Sequence, residues 1–140
     1  MKCPCESGLA YEACCQIFHL NRKLPETAER LMRSRYVAYV FGELDYLYNT
    51  THPSTRKPNL KDAYGATYKS IQWIGLTVLH SFKGRRADKT GKIEFEAAYV
   101  HNGERFVHHE KSRFRRHRGE WLYVDGKIRD RSMRWIGLYT

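Results

Sequence analysis

All four cysteines of this 140-residue chain fall within CPCESGLAYEACC, residues 3–15. Cys3 and Cys5 stand two apart, and Cys14 and Cys15 are adjacent. Bridging neighbouring cysteines demands a strained ring, so disulfides inside this stretch are a poor explanation. Two close pairs joined by a short loop match a tetrahedral thiolate site instead, in which zinc takes four ligands with Zn–S of about 2.3 Å. A segment this short builds no hydrophobic core, and metal binding would supply its folding free energy. Ser7 and Gly8 stand where the chain must turn: glycine permits a positive φ, and serine can cap the turn that follows. The alternatives are four free thiols in a loose N-terminus and catalytic thiol chemistry; the crowding is that of a closed structural site.

A second set of reactive side chains lies in ERFVHHEKSRF, residues 104–114. Strand alternation puts Arg105, Val107, His109, Lys111 and Arg113 on one face, and Phe106, His108, Glu110, Ser112 and Phe114 on the other. By the same rule Trp121, Tyr123 and Asp125 share a face of the next strand. A histidine paired with a carboxylate could perform general acid–base work. His109 and Glu110 are consecutive, however, and point to opposite faces, so they form no simple dyad.

These residues need elements to hold them. Pro25 suits a first helical turn. In the following ETAERLMRSRYVAYVFG, Ala28, Leu31, Met32, Tyr36, Tyr39 and Val40 recur at three- and four-residue spacing, one apolar face of a helix that Gly42 ends. ELDYLYNTT reads as a second helical piece, stopping before His52-Pro53 because the residue before proline avoids the helical region. NLKDAYGATYKS reads as a third, short helix capped by Asn59. Beyond it the texture changes to strands: IQWIGLTVLHSF, KIEFEAAYVH, ERFVHHEKSRFRRH and EWLYVDG, parted by KGRRADKTG, Asn102-Gly103 and Arg118-Gly119. Asn-Gly is the strongest short hairpin signal in the chain. Helices first and an antiparallel meander after them predict an α+β fold. WIGL occurs at both 73–76 and 135–138, but the flanks do not match and no structural repeat is inferred.

Cys-x-Cys-x-Ser-Gly, five residues, then Cys-Cys resembles the SEC-C motif, a short zinc knuckle that also ends many copies of the bacterial translocation motor SecA. The resemblance implies Cys3, Cys5, Cys14 and Cys15 as the four zinc ligands; Glu6 stands where the motif often has glycine. Elsewhere the knuckle is a docking piece for protein or ribosomal partners. The segments LMRSRYVAYVFGELDYLYNTTHP, WIGLTVL, HEKSRF and WLYVDG behind such a knuckle are similar to the YchJ family over nearly the whole chain. That resemblance implies a cone-shaped fold like nuclear transport factor 2, helices packed on a curved antiparallel sheet around a cavity. Residues 1–20 would be the knuckle and 21–140 the cone domain. Residues from about 25 onward contain every apolar face the core needs, so the knuckle is expected to be separable from the cone. Many relatives carry a second knuckle at the C-terminus. This chain ends KIRDRSMRWIGLYT without cysteine, and a function that needs two knuckles is not expected of it. The resemblance brings no established activity.

Around such a cavity an enzyme would enlist His109, Glu110, Asp125, His52 and Tyr36 or Tyr39. Trp73, Trp121 and Tyr123 come from strands that the meander brings together, and buried Tyr and Trp need polar partners. Arg33, Arg35, Glu110 and Arg113 are the nearest candidates. The plainer expectation is structural: Glu110 pairs Arg33, Arg35 or Arg113 in a polar network, and His109 is a satisfied packing residue.

An apolar share of 41% with 14% aromatic residues fits a folded core and not a disordered chain. The formal charge of +10 favours acidic partners, whether RNA, DNA or an acidic protein, or else a solvated basic surface. A tetrathiolate zinc would lower it to about +8. The segment 104–118, the loop KGRRADKTGK and the tail KIRDRSMR are basic, with Trp135 and Tyr139 near the tail. Basic charge interleaved with aromatics could bind single-stranded nucleic acid, although no recognised nucleic-acid motif accompanies it. No apolar run approaches the roughly 18 residues of a membrane span. The start MKCPCESG has no apolar signal core, so a cytoplasmic protein with no membrane partner is expected, in a compartment that keeps thiols reduced. The leading functional expectation is a zinc-binding module whose knuckle docks a protein or ribosomal partner and whose cone holds a small ligand. An enzyme acting on a small molecule in the cone, and an RNA-associated accessory protein, are the alternatives.

Overall fold

The structure is a computed structural model and describes residues 1–133. After a single 3-10 turn at Tyr11–Ala13 come helices α1 (Cys15–His19), α2 (Ala28–Phe41), α3 (Leu44–Asn49) and α4 (Leu60–Ser70). Four strands follow, β1 (Gln72–Lys83), β2 (Thr90–His101), β3 (Glu104–His117) and β4 (Glu120–Ser132). They form one antiparallel sheet in the order β1-β2-β3-β4. The α+β meander expected from the sequence is the one observed.

Helix α2 is the axis of the molecule. Thr27, in an extended conformation, accepts the Arg30 N–H at 3.1 Å and caps it, so the helix begins beyond Pro25. Gly42 ends it in the left-handed region, with φ +75°. Its buried residues exceed a single apolar face: Ser34, Arg35 and Val37 are covered along with Ala28, Leu31, Met32, Tyr36 and Ala38. The sheet packs on one side of α2, and α1 and α3 pack on others. Asn59 stands at the cap position of α4, yet its side chain makes no capping bond.

Two-residue turns join β2 to β3 and β3 to β4. Asn102-Gly103 and Arg118-Gly119 both carry positive φ at both positions, the geometry that matches strand twist in a tight hairpin. Bulges then bend the sheet. One places Ile74 between the pairs Trp73–Tyr99 and Gly75–Ala98, and another places Leu79 between Val78–Phe95 and His80–Glu94. A third, at Val124, separates Phe114–Tyr123 from Arg113–Asp125. This third bulge flips the alternation of β4. Tyr123 stays on the helix side, whereas Asp125 turns to the far face opposite Arg113, contrary to the shared face expected from alternation. Strand β4 also runs on past Gly126, so Ile128 and Asp130 come opposite Glu110 and His108. Leu31, Val37, Leu47, Ile93 and Phe114 are fully buried between the layers. Among the described residues no helix is long and apolar enough to cross a membrane.

Candidate metal centre and cone cavity

The N-terminal loop folds back on itself through short backbone bonds, Cys3 N–H to Leu9 O at 2.8 Å and Tyr11 N–H to Met1 O at 3.0 Å. Gly8 takes φ +87°, and the Ser7 hydroxyl accepts the Leu9 N–H at 3.2 Å, as the turn requires. The result brings the Sγ atoms of Cys3, Cys5, Cys14 and Cys15 within 4.8 Å of one another, every one of these residues buried. Cys5 and Cys14 sulfurs lie 3.6 Å apart, and those of Cys14 and Cys15 lie 4.0 Å apart. A regular tetrahedron with Zn–S of about 2.3 Å has edges of about 3.8 Å, so the donor set fits a tetrathiolate metal. The thiols also frustrate one another. Hydrogen bonding with Cys15 pulls Cys5 down to about 4, while burial pushes Cys3 up to about 11. The contact with Cys5, together with burial, drives Cys15 well above the ordinary thiol range. A divalent cation removes that conflict, because a coordinating thiol is deprotonated outright.

This cluster is set into the molecule and does not project from it. Arg33 donates to Cys5 O at 2.5 Å and to Glu29 at 3.1 Å. Tyr11 packs edge-on against Phe41 and bonds His19 Nδ1 at 2.7 Å. His19 Nε2 faces Ser34 O at 2.8 Å, and a carbonyl only accepts, so Nε2 carries the proton and Nδ1 accepts the Tyr11 hydroxyl. Burial holds the His19 pKa below its ordinary value, consistent with a neutral ring. Glu6 sits at φ +64°, which explains why glycine suits this place. Its carboxylate accepts the Leu76 N–H at 2.7 Å, just after the first β1 bulge, and so ties the loop to the sheet.

On the other side of α2, the curved sheet and α4 enclose a cavity of about 430 Å³. Tyr36, Tyr39, Tyr64, Trp73, Phe95 and Tyr123 supply its aromatic walls. A polar row crosses it. Glu110 Oε1 and His108 Nε2 lie 2.8 Å apart, and His108 Nδ1 lies 2.8 Å from Asp130 Oδ1. Both ring nitrogens face carboxylates, an arrangement that favours the protonated ring, in which both donate. Ser112 and Tyr123 also donate to Glu110, at 2.5 and 2.9 Å, and Tyr99 donates to Asp130 at 2.5 Å. Burial alone would lower the His108 pKa, but Glu110 and then Asp130 raise it above its ordinary value. Burial alone would raise Glu110, but the bonds from His108, Ser112 and Tyr123 hold it below the usual carboxylate range. Gly126 makes room for this carboxylate: a Cβ there would lie 2.8 Å from Glu110 Cγ. Trp73 Nε1–H is buried without a hydrogen-bond partner. A shallower groove of about 680 Å³ adjoins across Trp73, lined by Tyr68, Lys69 and Gln72 among others.

With this geometry in place, the comparisons with known proteins decide the lineage. Residues 27–126 match the family model described as YchJ, middle NTF2-like domain. The chain belongs to the YchJ family. It is 41% identical to a UPF0225 protein of Streptomyces coelicolor over 91% of this chain and 96% of that one. With the UPF0225 protein YchJ of Shigella dysenteriae it shares 38% identity over 89% of this chain and 81% of the relative. The solution structure of a SEC-C motif containing protein from Rhodopseudomonas palustris superposes with a TM-score of 0.81 at 35% identity, covering 91% of this chain and 98% of that chain. A crystal structure of another SEC-C motif containing protein, from Psychrobacter arcticus, gives a TM-score of 0.73 at 28% identity, over 88% and 80%. The NTF2-like cone and the SEC-C resemblance expected from the sequence are therefore both found.

Within this YchJ-family cone the residues picked from the sequence divide. Tyr36, Tyr39, Trp73, Glu110 and Tyr123 line the cavity. Arg35 lies behind its floor, fully buried, donating to Leu47 O, Thr50, Thr51 and Tyr64, with its guanidinium 4.5 Å from the Tyr123 ring centroid. The others do not converge. Arg33 clamps the cysteine loop, and His52 packs on His117 and bonds Ser54. His109 pairs with Glu94, and Arg113 with Asp125, on the far face of the sheet. Trp121 is a core residue whose indole donates to Glu26 O. The expected arginine partner of Glu110 is His108 instead, because the arginines of α2 and the odd positions of β3 face elsewhere. Sequence reasoning missed His108, Asp130, Tyr64 and Tyr99. For His108 the signal was present, since alternation already placed it on the Glu110 face. For Asp130 simple alternation from Tyr123 points to the wrong face, because the bulge at Val124 shifts the register of β4. Trp135 and Tyr139 of the tail lie outside the described residues.

Proposed function

We propose that this chain is a cytoplasmic zinc-bearing binding protein whose ligand is a small molecule held in the cone. Cys3, Cys5, Cys14 and Cys15 hold the zinc as a permanent structural metal, since the buried tetrathiolate leaves no open position for a substrate. The observation that carries the ligand reading is the cavity itself: about 430 Å³, walled by aromatics, with a convergent polar row of Glu110, His108 and Asp130. That combination of volume, apolar lining and few placed polar groups is what small-molecule sites share. The knuckle's outward side carries exposed Leu9 and Leu20, where a protein or ribosomal partner would dock. An enzyme working in the same cavity is the second reading, favoured by Asp130 at the rim, bonded to an imidazolium that could relay its proton. RNA binding draws less support, because Arg85, Arg86, Arg113 and Arg131 are each paired with a carboxylate.

A fragment screen followed by the Trp73 indole N–H resonance tests the ligand reading. Fragments are expected to shift that resonance in the wild type and not in Thr67→Trp, which plugs the cavity beside α4. Shifts that persist in the plugged variant, or none in the wild type, would overturn it. Pull-down with wild type against Cys14→Ser/Cys15→Ser tests the docking role: a partner retained equally by both would remove the knuckle from it.

A further inference from the structure

The chain carries 25 Lys and Arg against 15 Asp and Glu, yet among the described residues none that lines the cone cavity is Lys or Arg. Its charged groups are Glu110, His108 and Asp130. We propose that the cavity selects a small organic cation, a protonated or quaternary amine on an aromatic or apolar body, with Asp130 as its counter-ion. This rests on the reading of the cavity as a ligand site and adds the chemical class of the ligand.

Charge accounting within the row leads there. His108 gives both of its ring N–H groups to carboxylates, so two negative charges face one positive charge. Glu110 accepts from His108, Ser112 and Tyr123, and its side chain is only 8% exposed. Its charge is answered inside the protein. Asp130 is the other end of the row. Its side chain is 38% exposed at the rim, and His108 and Tyr99 leave lone pairs on its two oxygens for a further donor. The excess negative charge therefore appears at the mouth.

Arg35, the one buried guanidinium among the described residues, does not cancel it at the surface a ligand touches. It lies beneath Tyr64 and Tyr123 and is bound to a carbonyl and three hydroxyls. The walls suit the same ligand class. Ring faces of Tyr and Trp attract a cation placed over them, most strongly Trp, and Trp73 meets Tyr36, Tyr39 and Tyr99 with centroids 5.1 to 6.2 Å away. An anion would be drawn to the basic exterior and repelled at this mouth. A cation must approach a positive molecule, but at physiological salt that field is screened within about 8 Å, whereas a contact with part-exposed Asp130 is screened less and weakens only as salt rises further.

The test uses three probes of matched size, benzylammonium, benzyl alcohol and benzoate, titrated into the full metal-loaded chain. The readout is the Trp73 indole N–H resonance, assigned with Trp73→Phe. Benzylammonium is expected to bind about fivefold or more tighter than benzyl alcohol, with benzoate weakest. Asp130→Asn should erase the difference between the first two while leaving a cooperative melting transition. Should that variant not fold, rising salt applied to the wild type reads the same quantity, and the ratio should fall toward one. Equal or tighter binding of the neutral or anionic probe, or a preference indifferent both to Asp130→Asn and to salt, overturns the cation and leaves the ligand site standing. No shift from any of the three probes overturns both.

Discussion

The knuckle and the cone treat their polar atoms in opposite ways. In the knuckle all four cysteines are at most 4% exposed, and each sulfur faces the other three. In the cone a hydrogen-bonded row runs from buried Glu110 to Asp130 at the rim, beside an indole N–H that the protein itself does not satisfy. The first arrangement is complete once a metal is present and has nothing left to offer a substrate. The second ends in a part-exposed carboxylate with acceptor capacity left over. Although both regions pack on α2, the cone's polar row reaches solvent at Asp130 and the cysteine sulfurs are closed in.

The largest expected effect lies on the knuckle side. Chelation, or Cys14→Ser/Cys15→Ser, should lower the thermal midpoint more than any single substitution in the cone, because metal binding is what folds so short a segment. Deleting residues 1–18 should go further and still leave a cooperative transition, since Leu31, Val37, Leu47, Ile93 and Phe114 lie outside the deletion. Loss of all cooperative melting would mean that the two regions are one unit, and the comparison would fail.

Next comes Glu110→Gln. The amide presents donors where His108, Ser112 and Tyr123 also donate, so a cost of about 1–3 kcal/mol is expected by denaturant melting. An unchanged midpoint would show that the row is not part of the cone's framework. The same pair makes stability depend on pH. The His108 pKa is raised on folding, so its contribution is complete below about 6.5 and is lost as pH rises through the raised value. The Glu110 pKa is lowered, so its contribution is present above the usual carboxylate value and is lost as pH falls through the lowered one. The melting midpoint of wild type minus that of His108→Gln should therefore be greatest in mildly acidic solution and shrink on both sides. A difference that does not vary with pH would contradict the imidazolium.

The smallest effect tests the tie between the regions. Glu6→Ala keeps an unfavourable positive φ and loses the bond to Leu76, and should cost about 1 kcal/mol. Glu6→Gly relieves the backbone and loses the same bond, so it should cost less. A glycine variant weaker than the alanine one would refute this account of position 6.

The cysteine spacing, the Asn102-Gly103 hairpin and the buried side of α2 were legible in the sequence because each is a local pattern. Alternation even placed His108 with Glu110 and kept His109 off that face, but nothing local showed that the His108 ring would bridge Glu110 to a carboxylate of β4. Asp130 was harder. Its place depends on the bulge at Val124, which reverses the faces of β4, and nothing near Val124 announces a bulge. Arg35 was harder still, because the carbonyl of Leu47 and the hydroxyls of Thr50 and Thr51 meet it only once α3 has folded across α2.

The claim that the knuckle is a closed metal site has one most direct measurement: metal content and thiol titration on the same purified sample. About one zinc per chain, with thiols that react only after a chelator is added, is the result this account predicts. Less than roughly a tenth of that zinc, with all four thiols freely titratable, would contradict it.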